Sequence, residues 1–127
     1  MEFNISKRDV RAVERRHDFL IGPANAQNRV TLARYQVTEE VLRETRKMLS
    51  HKNCIIDRIT VKTVTFNDKK AKLLAQGIQV NDTINELIIK NCKIRPNHME
   101  CLAQAIGTNE SLEYIHIDNC KLLQVHG

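Results

Sequence analysis

Tryptophan is absent from this 127-residue chain, and aromatic residues make up only 4% of it. A stacking platform for single-stranded nucleic acid, which needs several exposed rings, is therefore poorly supplied. No run of 18 apolar residues occurs, so no segment reads as a membrane-spanning helix. The opening MEFNISKRDV lacks the apolar core of a secretory signal, and Glu2, Asp9 and Glu14 argue against a mitochondrial presequence. The four cysteines, Cys54, Cys92, Cys101 and Cys120, form no CxxC pair and stand too far apart for a zinc signature. Reduced thiols in an intracellular setting are the expectation. A Ser–His–Asp spacing and a glycine-rich phosphate loop are missing as well. The chain is thus expected to be no enzyme and to need no cofactor or metal.

With 42% hydrophobic and 28% charged residues, the composition suits one modest globular domain. The net charge of +5 is unevenly placed. Residues 1–52 hold 11 Lys or Arg against 7 Asp or Glu, whereas residues 53–127 hold 9 against 8. A basic N-terminal segment favours an acidic partner, and a solvated helix face is the plainer alternative.

The chain repeats itself at an interval of 28. Segments starting at Asn53, Asn81 and Asn109 align, and their first halves read IIDRITVKTVTF, TINELIIKNCKI and SLEYIHIDNCKL. Apolar positions coincide at Ile56, Ile84 and Leu112, at Ile59, Leu87 and Ile115, at Val61, Ile89 and Ile117, and at Phe66, Ile94 and Leu122. The second halves are helical. Ala71, Leu74, Ala75 and Ile78 form one apolar stripe, and Met99, Leu102, Ala103 and Ile106 repeat it. Pro96 stands where a helix can begin and Gly107 where one can end.

A strand, a turn and a helix in every 28 residues, stacked side by side, make a solenoid. The pattern LxxLxLxxCxL in residues 53–122 resembles the leucine-rich-repeat family, of the long-repeat, ribonuclease-inhibitor-like type. The resemblance implies an α/β fold: a short leucine-rich-repeat solenoid with parallel strands on the concave face, helices on the convex face, and an N-terminal helical cap and arm. Repeat one departs from its sisters, with Thr63 and Val64 where they carry Asn-Cys.

Three regions follow. Residues 1–37 are expected as a basic helical arm and linker. SKRDVRAVERRHDFL (6–20) reads as a helix bearing Arg8, Arg11, Arg15 and Arg16, which docks either on its own solenoid or on a partner. Residues 38–52 read as a capping helix that starts at Thr38 and has Val41, Leu42, Thr45, Met48 and Leu49 on one face. Residues 53–127 hold about two and a half repeats, the third without its helix. Its strand leaves Leu112, Ile115 and Ile117 poorly covered, an edge that invites a partner.

Period-two alternation then names the candidate binding surface. It consists of three rows across the concave sheet: Arg58–Glu86–Tyr114, Thr60–Ile88–His116 and Lys62–Lys90–Asp118. Mixed charge with an exposed Ile and Tyr suits protein recognition better than phosphate tracking. Cys92 and Cys120 are expected to be small buried fillers of a turn. His98, Glu100 and Cys101, adjacent on a helix, do not converge on a metal. Three N-x-S/T sequons occur, at Asn4, Asn81 and Asn109; the latter two recur with the repeat and are read as by-products of it. The expected function is a non-catalytic protein–protein interaction module, a small structural or accessory subunit or scaffold of an intracellular assembly, cytoplasmic and of cytoskeletal or ciliary kind. The alternative is nucleic-acid or ribonucleoprotein binding through the basic arm.

Overall fold

Four strands in succession end on a residue with left-handed backbone, and that turn sets the repeat. The residues are Arg34 (φ 65°), Thr63 (φ 58°), Asn91 (φ 56°) and Asn119 (φ 50°), each immediately after a strand of the main sheet. Short polar side chains tolerate this region, and Asn does so more readily than most. The computed structural model describes residues 2–5 and 29–122.

The elements in chain order are β1 (Glu2–Ile5), β2 (Arg29–Ala33), α1 (Glu39–Ser50), β3 (Arg58–Lys62), α2 (Asp68–Val80), β4 (Glu86–Lys90), β5 (Lys93–Ile94), α3 (Pro96–Thr108), β6 (Tyr114–Asp118) and β7 (Lys121–Leu122), with a short 3₁₀ turn at Arg34–Gln36. Five strands make one sheet in the order β1-β2-β3-β4-β6, and every neighbouring pair is parallel. The fold is mixed α/β with a parallel sheet. β3 to β4 and β4 to β6 advance by 28 residues, as Arg58 pairs with Glu86 and Glu86 with Tyr114. β5 and β7 form a second, two-stranded parallel ladder in the same step, to which Thr65 adds a bridge with Lys93.

One face of the sheet is the core. Val30 and Leu32 of β2, Ile59 and Val61 of β3, and Leu87 and Ile89 of β4 are buried together with Val41, Leu42, Met48, Leu49, Leu74, Ile78 and Leu102 of the helices. The helices therefore cover that face. Each is started by its own sequence. Thr38 Oγ1 accepts from the Val41 N–H at 3.2 Å, and Asn67 Oδ1 accepts from the Lys70 N–H at 2.8 Å. α3 begins with Pro96, whose missing donor is not needed there.

α1 and α2 approach closely because Gly77 lies against Leu49. A Cβ on Gly77 would stand 2.9 Å from Leu49 Cδ1 and 3.3 Å from the Arg46 backbone. Arg46 Nη1 also donates to Gln76 Oε1 across the same interface at 2.6 Å.

Several expectations need correction. The linker expected before residue 38 contains a strand. RVTLA is too short to stand out by periodicity, yet it pairs with β3 from Arg29–Arg58 to Ala33–Lys62. The capping helix is therefore preceded by a strand, and α1 follows β2 as α2 follows β3. Asn53 is not the structural equivalent of Asn81 and Asn109. Those two cap the ends of α2 and α3, whereas α1 ends on His51, two residues earlier in phase, and Asn53 is exposed. Ala103, expected in the apolar stripe of α3, is exposed, while Ala105 is buried. Ala75, one period before Ala103, is buried because α3 packs beyond α2; among the described residues no helix packs beyond α3. Gly107 lies inside α3, which continues to Thr108. The arm residues Arg8, Arg11, Arg15 and Arg16 lie outside the described residues.

Candidate functional site

The open face of the sheet, opposite the helices, assembles the three expected rows. Arg58, Glu86 and Tyr114 are Cα partners in register, as are Thr60, Ile88 and His116, and Lys62, Lys90 and Asp118. β2 extends the rows with Arg29, Thr31 and Ala33. The six row residues from β3 and β4 are half-buried, Tyr114, His116 and Asp118 of β6 are exposed, and Thr31 of β2 is buried.

Charge on this face is organised around Glu86. Arg58 Nε donates to Glu86 Oε1 at 2.5 Å, and His116 Nε2 lies 3.1 Å from Glu86 Oε2. One carboxylate thus joins three strands, straight across to β3 and diagonally to β6. The diagonal contact crosses from one row to the next, so row assignment alone does not foresee it. With both oxygens engaged and only a fifth of its side chain exposed, Glu86 holds Arg58 in a fixed geometry. Lys62 and Lys90, adjacent in register with Asp118 beyond, leave like charges side by side, an arrangement eased by an acidic contact.

The Asn-Cys pairs have a structural explanation with no redox chemistry in it. Asn91 and Asn119 supply the left-handed turn, and Asn119 Nδ2 donates to Asn91 Oδ1 at 2.7 Å. The cysteine after each points back under the sheet. Cys92 Sγ lies 3.4 Å from the Lys90 carbonyl and 3.6 Å from that of Val61; Cys120 Sγ lies 3.5 Å from the Asp118 carbonyl and 3.6 Å from that of Ile89. Burial pushes the Cys92 thiol up to about 11 from its ordinary 9.0, so its nucleophilic thiolate is scarce at neutral pH.

The paired sequons are explained in the same way. Asn81 Oδ1 accepts from the backbone N–H groups of Thr83 and Ile84 at 2.8 and 2.7 Å, and its Nδ2 donates to the Leu49 carbonyl at 3.0 Å. Asn109 accepts from Ser111 and Leu112, both at 2.7 Å, and donates to the Ile78 and Asn81 carbonyls at 2.8 Å. The hydroxyls two residues on donate to the preceding unit, Thr83 to Ile56 and Ser111 to Ile84, each at 2.7 Å. Asn-x-Ser/Thr is thus the clamp that passes each helix into the next strand. With Asn81 only 3% exposed, it offers no acceptor for glycosylation.

His98 belongs to another structural pair that the spacing of residues does not announce. It is buried, its Nδ1 accepts from the Arg95 N–H at 3.3 Å, and its Nε2 lies 2.7 Å from Asp68 Oδ1. With Nδ1 accepting, Nε2 carries the hydrogen that Asp68 receives. Hydrogen bonds from His98 and then from Asn97 hold the Asp68 carboxyl below its ordinary value of 3.8. The pair ties the first turn of α3 to that of α2. Among the described residues no group of three or more His, Cys, Asp or Glu is placed to hold a metal ion, and no helix is long and apolar enough to cross a membrane.

No known protein-family model matches the chain, and a search of curated proteins finds no match either.

Proposed function

We propose that this chain is a non-catalytic protein–protein interaction module, built as a short leucine-rich-repeat solenoid whose open sheet face is the concave binding surface. The observation that carries the reading is the registered ladder of Arg58, Glu86, Tyr114, Ile88, Lys90 and His116 on the sheet face opposite the helices. Parallel sheets are normally covered on both faces; among the described residues all three helices lie on the other face, which leaves this one as the surface for contact. Its mixture of charge, one aliphatic and one aromatic side chain matches the make-up of protein interfaces. A protein partner also covers the edge at β6. By analogy of repeat type, we assign it as a small accessory subunit of a cytoplasmic assembly, with the cytoskeleton or cilium as the setting to test first.

The test compares face and back. Ile88→Asp with Lys90→Glu changes the open face, and Lys72→Glu changes an exposed position on α2. Companions that copurify with the native protein should be lost from the face variant and kept by the back variant, with circular dichroism unchanged in both. Retention of every companion by a folded face variant would refute the reading. Nucleic-acid binding through the basic N-terminal segment is the rival. It predicts tight binding to bulk nucleic acid at low salt that falls steeply as salt rises, and no such binding removes it.

A further inference from the structure

β6 ends the sheet among the described residues, and its core-side residues are bare. Ile115 is 44% exposed and Ile117 46%, whereas their counterparts Leu87 and Ile89 on β4 are 0% exposed. Edge strands of soluble proteins are usually guarded by Lys, Pro, a bulge or an inward-pointing charge. The strand YIHID has no Lys or Pro, and its two core-side positions are both Ile.

The hydrogen-bonding groups of this edge can be oriented. Tyr114 N–H donates inward to the Asn85 carbonyl and the Asp118 carbonyl accepts inward from the Asn91 N–H. Residues 114, 116 and 118 therefore use their backbone groups on β4, and alternation turns those of Ile115 and Ile117 outward. The outward donors and acceptors belong to the two residues whose side chains are also bare.

We infer that the occupant of this edge is a second copy of the same chain, with β6 pairing antiparallel to its counterpart about a two-fold axis at His116. This deepens the proposed edge contact; His116 and Tyr114 also belong to the open-face ladder, so a variant of that ladder away from β6 separates the two readings. Of the possible self-pairings, only this centre sets each Ile against an Ile, Ile115 opposite Ile117 of the second copy and the reverse. These two pairs then exchange both backbone bonds, using all four outward groups. Tyr114 comes opposite Asp118, with no like charges opposed. Centring on Ile115 would set Ile117 against the acidic Glu113, and centring on Ile117 would set Ile115 against Asn119. The interface is isologous and closed, so it ends at a dimer.

Two variants and one mass measurement test this. Sedimentation of the purified chain over a wide concentration range should show a species at twice the 14.7 kDa chain mass. Ile117→Lys, at a position 46% exposed, should return it to the monomer with unchanged circular dichroism. At a non-hydrogen-bonded antiparallel pair the Cα atoms stand about 4.5 Å apart, within disulfide reach. His116→Cys should accordingly oxidise to a covalent dimer, with peptide mapping showing residue 116 joined to residue 116. A wild-type monomer at every concentration overturns the proposal, as does a dimer indifferent to Ile117→Lys whose His116→Cys variant stays uncrosslinked. Species that keep growing with concentration indicate head-to-tail stacking and overturn the two-fold form. Lys90→Glu should leave the dimer mass unchanged, so failure of the dimer and failure of the open-face reading are separate results.

Discussion

Thr63→Asn should stabilise the protein, although it touches nothing in the core. Thr63 holds φ at 58°, a left-handed backbone in a β-branched residue, while Asn91 and Asn119 hold the equivalent turns at 56° and 50°. A non-glycine residue confined there carries strain of about 1–3 kcal/mol, and Asn is several-fold enriched in this region because its short polar side chain suits it. Relief of about 1 kcal/mol is the expectation. Thr63 is exposed and its backbone N–H donates to the Lys90 carbonyl at 3.1 Å, a bond the substitution keeps. The new amide would also lie beside Asn91, extending the Asn91–Asn119 side-chain bond by one unit. Being exposed, that bond adds no more than a few tenths of a kcal/mol.

The assay is thermal and urea unfolding of the wild type, Thr63→Asn, Thr63→Gly and the reverse swap Asn91→Thr. One kcal/mol in a chain of this size moves Tm by about 3–6 °C, and the urea slope should be unchanged. Thr63→Gly relieves the same strain but frees the unfolded chain, so it should gain less than Asn. Asn91→Thr should lose about 1 kcal/mol or slightly more, since it also breaks the bond from Asn119. If Thr63→Asn leaves Tm unchanged while Asn91→Thr is neutral too, the left-handed turn does not explain the Asn of the Asn-Cys pairs.

Leu87→Asp sets an unpaired charge at a fully buried position and should cost about 3–5 kcal/mol by urea unfolding; an unshifted midpoint would mean the strand register is wrong. Asn81→Ala strands the Thr83 and Ile84 N–H groups and should cost about 2–4 kcal/mol, a loss that a neutral result in the same assay would deny. Because the folded Asp68 carboxyl sits below its ordinary 3.8, its contribution is fully present above that pH and is lost as pH falls through the lower folded value. Asp68→Asn should therefore flatten the acid limb of the stability–pH curve below about pH 4, and an unaltered limb counts against the His98 pairing. Iodoacetamide at pH 8 should label Cys101 and Cys120 before Cys92, followed by peptide mass, and Cys92→Ser should leave partner binding intact; early labelling of Cys92 would revive a reactive thiol.

What the sequence makes legible divides along a physical line. Positions that a 28-residue translation must repeat are readable, because the same burial selects the same residue type each time. Ile59, Leu87 and Ile115, and their neighbours two residues on, announce strand, register and face together, and all three open-face rows pair accordingly. β2 was hidden because its turn is made by Arg34, where the later units use Thr63 or Asn, and because its step to β3 is 29 residues. A turn accepts many residues at a modest penalty, so it leaves a faint trace; a buried position accepts few. The Asp68–His98 pair was hidden for another reason. It joins residues of neighbouring units without recurring: one period on from Asp68 stands Pro96, and one period back from His98 stands Lys70.

The same line separates fold from function on the open face. Core positions are constrained by their neighbours within the unit, so they repeat, but Arg58, Glu86 and Tyr114 share a row and no chemistry. Nothing in the packing asks them to agree. Their differences are therefore free to be set by what lies opposite, which is the property a binding surface needs. The carboxylate of Glu86 shows the consequence: it fixes Arg58 on one side and meets His116 on the other, a diagonal that no periodic pattern encodes. Reading the repeat thus locates the surface through the residues that agree, and its specificity resides in those that do not. Disrupting Glu86 alone is the sharp probe of that division. Glu86→Gln should alter partner affinity while barely moving Tm, since its links to Arg58 and His116 lie on the open face and not among the buried residues; a large loss of Tm would put Glu86 in the framework and not in the surface.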